Sequence, residues 1–407
     1  MTTTISPTTT GRTGGSRLLA APAPDLATHN RTHGPLPAAP TGAQLVALLQ
    51  AARLTGRGGA GFPTWRKLAD VADPRRAVVV ANGAEGEPAS SKDAVLLTDA
   101  PHLVLDGLQL VGAALGAQEL HLYAGAGLLA PVRSALGERT GLRVTLTASP
   151  DRFIAGEESA VVRALAGGPA VPHDRTTRIT QRGLHERPTL VQNVETLAQL
   201  ALAVRHGADW FRAVGPADDP GTRLVTLSGD VPHAGVLEVA SGTNLAALLT
   251  GAGTDPERVR AVLVGGYHGV WVPGADLHRT DLSTASLHRH GATPAAGVLH
   301  VLDAHRCGLV AAAEIATWLA AQSARQCGPC VNGLPLIAAT LTRLSRRDPD
   351  PTLSREIGRL AALVSGRGSC RHPDGTARMV HSTLRTFSHD VALHQHGRCE
   401  ATPGQGR

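Results

Sequence analysis

Aromatic residues are scarce in this chain: four Phe, two Tyr and four Trp make up only 2% of 407 residues. Its cores must therefore be filled by Leu, Val and Ala, which the 42% apolar content supplies. The same scarcity leaves no platform on which bases could stack. Positive charges alternate with Asp and Glu, so the net charge of +6 and the pI near 9.5 do not point to nucleic acid. Anionic cofactors or an acidic partner fit that surplus better. No apolar run is long enough to span a bilayer, and the longest, Gly308–Ala321, carries Glu314. Residues 1–10 lack the apolar centre of a signal peptide, which predicts a cytoplasmic protein that meets a membrane only through partners. The cysteines are few, odd in number and late: Cys307, Cys327, Cys330, Cys370 and Cys399. That pattern argues against a disulfide framework and for metal binding.

Organisation follows from composition and periodicity. Residues 1–40, rich in Thr, Pro, Gly and Ala, predict a disordered tail. Thr41 is a suitable N-cap for an amphipathic helix over 43–54. Residues 41–205 alternate apolar strands (77–81, 119–124, 142–146) with helical stretches such as 103–114, the pattern of a parallel sheet covered by helices. Residues 206–303 are richer in strands, with a hairpin at 224–227 and 235–239, a short helix at 245–250 and a strand at 261–264. Residues 304–395 predict four helices, at 307–321, 334–345, 351–364 and 377–394, enough for a bundle. Residues 396–407 predict a flexible tail.

Several segments have the chemistry of a site. Gly56-Arg57-Gly58-Gly59-Ala60-Gly61-Phe62-Pro63-Thr64 is the densest glycine cluster, and such loops let backbone N–H groups approach a phosphate, with Arg57 and Lys67 as nearby cations. It is not a Walker loop, because Phe62-Pro63 stands where Lys-Ser/Thr is required. On glycines alone a flexible turn is an equal reading. Asn82-Gly83-Ala84-Glu85-Gly86-Glu87-Pro88 follows a strand directly, where open α/β sheets bind ligands. Asn82, Glu85 and Glu87 could hold ribose or ribityl hydroxyls. Phe153 and Gly156 precede the adjacent carboxylates Glu157-Glu158, which repel unless solvated or paired. Gln192-Asn193-Val194-Glu195-Thr196 offers amides suited to an isoalloxazine edge. Each motif alone is an ordinary polar loop.

The Cys327-x-x-Cys330 pair with Cys370 is the strongest metal signal, since soft sulfur suits an iron–sulfur cluster or zinc. Three thiolates allow a [3Fe–4S] cluster, or a [4Fe–4S] cluster with a non-cysteine ligand at the fourth iron. Cys307 as that ligand would lie about 20 Å away along a straight helix. Cys327, Cys330, Cys370 and His372 could instead bind zinc as Cys₃His. Cys307 and Cys399 otherwise read as plain thiols.

Taken together, these motifs resemble those of the NADH-binding flavoprotein subunit of respiratory complex I and its relatives in NAD-linked hydrogenases and formate dehydrogenases. Gly207-Ala208-Asp209-Trp210-Phe211, Gly221-Thr222, Ser228-Gly229 and Gly265-Gly266 extend the resemblance, which covers about residues 41–395. It implies an α/β protein with a Rossmann-like FMN domain, a ubiquitin-like β-grasp domain and a C-terminal four-helix bundle with the iron–sulfur site. It also implies that the glycine loop and Lys67 hold FMN and dinucleotide, and that Asn82, Glu85, Glu87, Glu157, Glu158 and Asn193 line the flavin and nicotinamide pocket. Electrons would pass from NAD(P)H through FMN to the cluster, the protein supplying position and electrostatics and no acid, base or nucleophile. The acceptor would be an iron–sulfur or ferredoxin-like protein, such as a thioredoxin-like [2Fe–2S] subunit.

The pattern is broken at several positions. Ala84 replaces an aspartate, Phe153 a tyrosine and Ala324 the first cluster cysteine. Asp70 stands where an aromatic stacks on NADH, and Arg175-Thr176-Thr177-Arg178 replaces a second stacking segment. Two lost rings, at roughly 0.5–1.5 kcal/mol each, would weaken NADH about tenfold or more. Arg175 and Arg178 could grip a phosphate, including that of NADP. The competing readings are an electron-transfer adaptor that has lost NADH oxidation, and a zinc-bound scaffold without catalysis.

Overall fold

The computed structural model describes residues 15–173 and 177–401. They divide into two compact units. The first comprises residues up to Thr226 with Ala234–Thr243 and Ala295–Gly297, and the second comprises Leu227–His233, Asn244–Pro294 and the chain from Val298 onward.

In the first unit, helices α1 (Leu26–His33), α2 (Gly42–Ala52) and α3 (Thr64–Ala69) precede strand β1 (Val78–Gly83). Helices α4 (Lys92–Asp99) and α5 (Pro101–Leu115), strand β2 (Glu119–Gly125), helix α6 (Leu129–Gly137) and strand β3 (Thr145–Ser149) follow. Helix α7 (Glu158–Leu165), strand β4 (Thr189–Asn193) and helix α8 (Val194–Arg212) come next, then strands β5 (Thr222–Gly229) and β6 (Gly235–Ala240). The sheet order is β3-β2-β1-β4 and all three pairings are parallel. β1 explains itself. Its Val-rich run is buried on both faces, with Ala77, Val79 and Ala81 in one apolar cluster and Val78 and Val80 in another. The order reverses between β1 and β4, so the crevice at their carboxyl ends is the topological switch point, the usual ligand position in such sheets.

Order begins earlier than composition suggests. Residues 15–40, expected to be a disordered tail, are placed in the first unit. Asp25 caps α1 by accepting the Thr28 amide at 2.8 Å. Leu18 is fully buried, and the amides of Arg17, Leu18 and Leu19 donate to the Glu238 carboxylate at 2.9–3.1 Å. His29 reaches the buried Asp106 at 2.8 Å, where Arg139 (2.7 Å) and Arg205 (2.6 Å) also converge. Against a burial that would raise it, these partners hold the Asp106 carboxyl down at about 2. Low hydropathy hid this segment because its anchors are polar and long-range. Thr41 caps α2 as expected, with a full capping box to Gln44. Strand β3 begins at Thr145 and not at Leu142, which packs against the core as part of the approach.

In the second unit, helix α9 (Leu245–Gly251) leads to strand β7 (Val259–Val264), which pairs antiparallel with β8 (Val270–Pro273) and β9 (Val298–Asp303). Helix α10 (Thr284–His288) lies between those two partners in sequence. Helices α11 (Gly308–Ala321), α12 (Leu334–Ser345), α13 (Leu353–Val364), α14 (His372–Thr386) and α15 (Ser388–Gln395) complete it. The last two were expected as one helix over 377–394. Phe387 breaks them: its buried ring meets Trp271 edge-on at 5.4 Å and turns the chain out of helical geometry. Among the described residues, no single helix is long and apolar enough to cross a membrane.

Candidate functional site

The glycine loop closes on itself before it meets any ligand. Thr55 bridges Pro63, the Gly56 amide donates to Phe62 O at 2.9 Å, and the Thr64 amide donates to Leu54 O at 3.0 Å. The amides of Gly58, Gly59, Ala60 and Gly61 lie outside this ladder. Gly59 (φ +114°) and Gly61 (φ +61°) adopt left-handed backbone, and nothing lies within 4 Å of where a side chain would sit. Gly58 is different. A Cβ there would lie 3.0 Å from Asn193 Cβ, tighter than an ordinary contact, so the bare glycine eases the loop's close approach to the end of β4. The loop thus lies at the switch point. Phe62 stands on its rim, 50% exposed.

Arg57 does not serve as a surface cation. Its guanidinium is buried, 3.6 Å from Asp219 and donating to Pro220 O and Thr222 O, and its amide donates to the Thr196 hydroxyl at 2.8 Å. Arg57 therefore clamps the loop from behind, a role that glycine density in sequence could not reveal. Lys67 on α3 pairs with Glu158 at 2.8 Å, both partly exposed.

Asn82, next to last in β1, is in register with Asn193, which ends β4. Asn82 Nδ2 donates to Gly156 O at 2.9 Å, tying the loop after β1 to residues 153–156. Two glycines make that contact possible: a Cβ on Gly86 would fall 2.5 Å from Arg152 O, and one on Gly156 would fall 2.7 Å from Ala84 O. A cavity of about 380 Å³ opens at the carboxyl ends of β1, β2 and β3, bordered by Gly83, Glu85, Gly86, Gly125, Ser149 and Arg152. Glu87 Oε1 accepts the Ala89 amide at 3.3 Å. Glu157 caps α7 by accepting the Ser159 and Ala160 amides, beside the partly buried Phe153. Gln192 is buried on β4. The structure thus brings together the glycine loop, Asn82, Glu85, Gly156, Glu158, Asn193 and Thr196.

Two residues escaped the sequence reading. Lys92 and Asp93 open α4 and are almost wholly buried. Lys92 Nζ lies 2.5 Å from Asp93, 3.0 Å from Glu195 and 3.4 Å from Asn193 Oδ1, and Asn193 Nδ2 donates to Asp93 at 2.7 Å. Glu85 completes the cluster, accepting the Asp93 and Ala94 amides at 3.2 Å and the Ser90 hydroxyl. Burial and the Asp93 carboxylate push Glu85 up to about 7. Although burial opposes it, the surrounding carboxylates hold Lys92 protonated well above its ordinary range. One signal was available: the chain has only two lysines, Lys67 and Lys92, among 39 basic residues. A lysine kept in an arginine-biased chain points to a place where a compact ammonium is required.

At the positions that depart from the family pattern, Asp70 accepts from Arg178 at 3.0 Å and from the Thr180 hydroxyl at 2.6 Å. Arg178 is thus engaged within the protein, while Arg175 lies outside the described residues. The Asp70–Arg178 pair is exposed and worth at most about 1 kcal/mol.

In the second unit, a π-helical turn, Pro329–Gly333, presents Cys330 at the head of α12. Burial, a hydrogen bond with Cys327, and the neighbouring Cys327 and Cys370 push the Cys330 thiol up to about 12. Three thiols from two segments therefore converge, a donor set suited to iron–sulfur ligation. His372 does not join them as a zinc ligand. Its Nε2 donates to Leu319 O at 2.9 Å and its Nδ1 faces His268 Nε2 at 3.1 Å, so both ring nitrogens are taken. Cys307 is grouped instead with His394 and Cys399.

Comparison with known proteins adds two domain matches. Residues 49–202 match the Nuo51 FMN-binding domain, and residues 310–394 match the NADH-ubiquinone oxidoreductase-F iron-sulfur binding region. An F-type NADH-quinone oxidoreductase subunit of Rhizobium meliloti is 28% identical, over 88% of this chain and 90% of the relative. The NAD-reducing hydrogenase HoxS subunit alpha of Cupriavidus necator is 34% identical, over 61% of this chain and 44% of the relative. A crystal structure of an NAD+-reducing [NiFe]-hydrogenase in the air-oxidized state superposes with a TM-score of 0.79 at 30% identity. The match covers 87% of this chain and 63% of that one.

Proposed function

The chain belongs to the family of F subunits of NADH-quinone oxidoreductase, and from that premise we propose that it oxidises a reduced nicotinamide nucleotide through FMN and an iron–sulfur cluster. The carrying observation is the convergence, at one switch point, of an open glycine loop with the paired asparagines at the carboxyl ends of β1 and β4. Bound flavin supplies two-electron acceptance from the nucleotide, and the cluster supplies one-electron transfer onward. The chain's own residues bind and orient. The amides of Gly58, Gly59, Ala60 and Gly61 receive the FMN phosphate, with Gly56 closing the loop and Arg57 and Thr196 bracing it from below. Lys67 contributes charge at the loop's edge. Asn82 and Asn193, their side-chain amides tied to Gly156 O and Asp93, fix the end of the pocket against which the ring system would rest, with Gln192 beside them on β4, and Glu85, Glu87, Glu157 and Glu158 would face the flavin and nicotinamide side. Phe62 would cover the nicotinamide, and Phe153, partly buried in the turn that ends at Gly156, would border the same pocket.

In the second unit Cys327, Cys330 and Cys370 hold the cluster as [3Fe–4S], or as [4Fe–4S] with a non-cysteine fourth ligand where Ala324 stands. The finer architecture follows the resemblance: a Rossmann-like FMN domain over residues 41–205, a β-grasp domain over 206–303 and a helical iron–sulfur bundle over 304–395. Electrons leave to an iron–sulfur or ferredoxin-like acceptor protein, such as a thioredoxin-like [2Fe–2S] subunit, on the cytoplasmic side. One observation keeps an adaptor without NADH oxidation in play: Asp70 replaces a stacking ring.

Anaerobic purification with flavin, iron and sulfide quantified, followed by NADH and NADPH titration, tests this reading. Flavin bleached by micromolar NADH supports it. Flavin and iron present but unreduced by either nucleotide would favour the adaptor, and protein that binds neither cofactor after reconstitution would remove both readings.

A further inference from the structure

We propose a second, independent metal site in the C-terminal unit, formed by Cys307, His394 and Cys399 and taking a thiophilic d¹⁰ cation, Zn²⁺ foremost. Sequence gives no hint of it, since 87 residues separate Cys307 from His394. Cys307 is the N-cap residue of α11, yet its side chain makes no capping bond. Its Sγ lies instead 3.5 Å from His394 Nε2. Cys399, beyond the end of α15, brings a second sulfur, and the three donor atoms all lie within 4.8 Å of one another.

The histidine is prepared for ligation. His394 is 1% exposed, and its Nδ1–H donates to Leu344 O at 3.0 Å. That bond fixes the tautomer and leaves the Nε2 lone pair directed at the sulfurs. A ligating imidazole anchored in this way through its other nitrogen is the usual supporting arrangement in metal sites. Distances agree as well. With Zn–S of about 2.3 Å and Zn–N of about 2.0 Å, a tetrahedral ion separates its ligands by about 3.6 Å, close to the 3.5 Å between sulfur and nitrogen here. Binding exchanges two thiol protons for one cation, and a water completes the fourth position beside the partly exposed cysteines. The ion ties the start of α11 to the end of α15 and anchors the tail. None of these residues takes part in the flavin or cluster chemistry proposed above.

The test uses the full chain with its resident cofactors, purified under reducing conditions and equilibrated with Zn²⁺ before washing. Zinc and iron per chain are measured for the wild type, for Cys399→Ser and for a chain ending at Arg398. Cys399 is only partly buried, and the melting temperature of each variant is measured beside its metal content. The expected result is one zinc equivalent in the wild type, lost in both variants, with iron unchanged. Zinc-edge X-ray absorption should show two sulfurs and one imidazole nitrogen. Equal zinc in all three proteins, coordination without sulfur, or a reduced wild type that takes up no zinc and simply forms a Cys307–Cys399 disulfide in air would each overturn the proposal.

Discussion

Replacing Lys92 with Met tests the buried charge cluster between the start of α4 and the end of β4. Methionine keeps most of the volume and removes the cation held among Asp93, Glu195 and Glu85. At separations of 2.5 and 3.0 Å, each attraction is about 5–7 kcal/mol at an effective dielectric near 20. Desolvation offsets most of that, and removing one partner of a buried pair typically costs about 3–5 kcal/mol. The ammonium's contribution is constant through neutral pH, because its folded value lies above the ordinary 10.5 and is lost only at higher pH. In Lys92→Met the pH dependence passes to the carboxylates, which replace the missing cation by taking up protons. The deficit should therefore be largest near pH 8 and shrink near pH 5. At about 2–4 °C per kcal/mol, the melting temperature should fall by about 10 °C at pH 8 and by less than half of that at pH 5. Adding Glu195→Gln should recover part of the loss by removing the most buried orphaned charge. An equal drop at both pH values, or a drop of less than about 3 °C, would show that the cluster does not act as a charge-compensated unit.

Glu85→Gln addresses the same cluster from the acidic side. A carboxyl whose folded value stands near 7 instead of 4.5 binds its proton more tightly when folded, so wild-type stability should decline between those pH values. The variant's melting temperature should lack that slope. In Gly86→Ala the new methyl would fall 2.5 Å from Arg152 O and force the loop after β1 away from the segment before α7. Overpacking of this kind costs about 1–3 kcal/mol, and the flavin-to-protein ratio on purification should fall along with the melting temperature. Phe62→Ala removes an exposed ring, so stability should stay within about 0.5 kcal/mol. The KM for NADH should rise several-fold in steady-state assays, in line with about 0.5–1.5 kcal/mol for one stacked ring.

Reading a charge-balanced cluster out of the sequence was out of reach for a specific reason. Lys92 and Asp93 look like a solvated helix start, and only the approach of Glu195 and Asn193, about a hundred residues later, buries them. Arg57 failed in the other direction. It sits amid glycines that suit a phosphate, but Asp219 and two carbonyls more than 160 residues away draw its guanidinium inward. His372 follows the same logic, since Leu319 and His268 consume the nitrogens that spacing alone offered to zinc.

By itself the sequence determined what local pattern can carry: the apolar β1, the Thr41 capping box, the positions of α11 to α13, the glycine loop and the Cys327–Cys330 pair. These depend on propensity, periodicity and short spacing, which act within a few residues. Tertiary structure alone decided which polar groups meet. It ordered residues 15–40 through Glu238 and Asp106, set the glycine loop against Asn193, and gathered Cys307, His394 and Cys399. Burial turns each of these from a solvated side chain into a committed partner, and burial is a property of the whole chain's path.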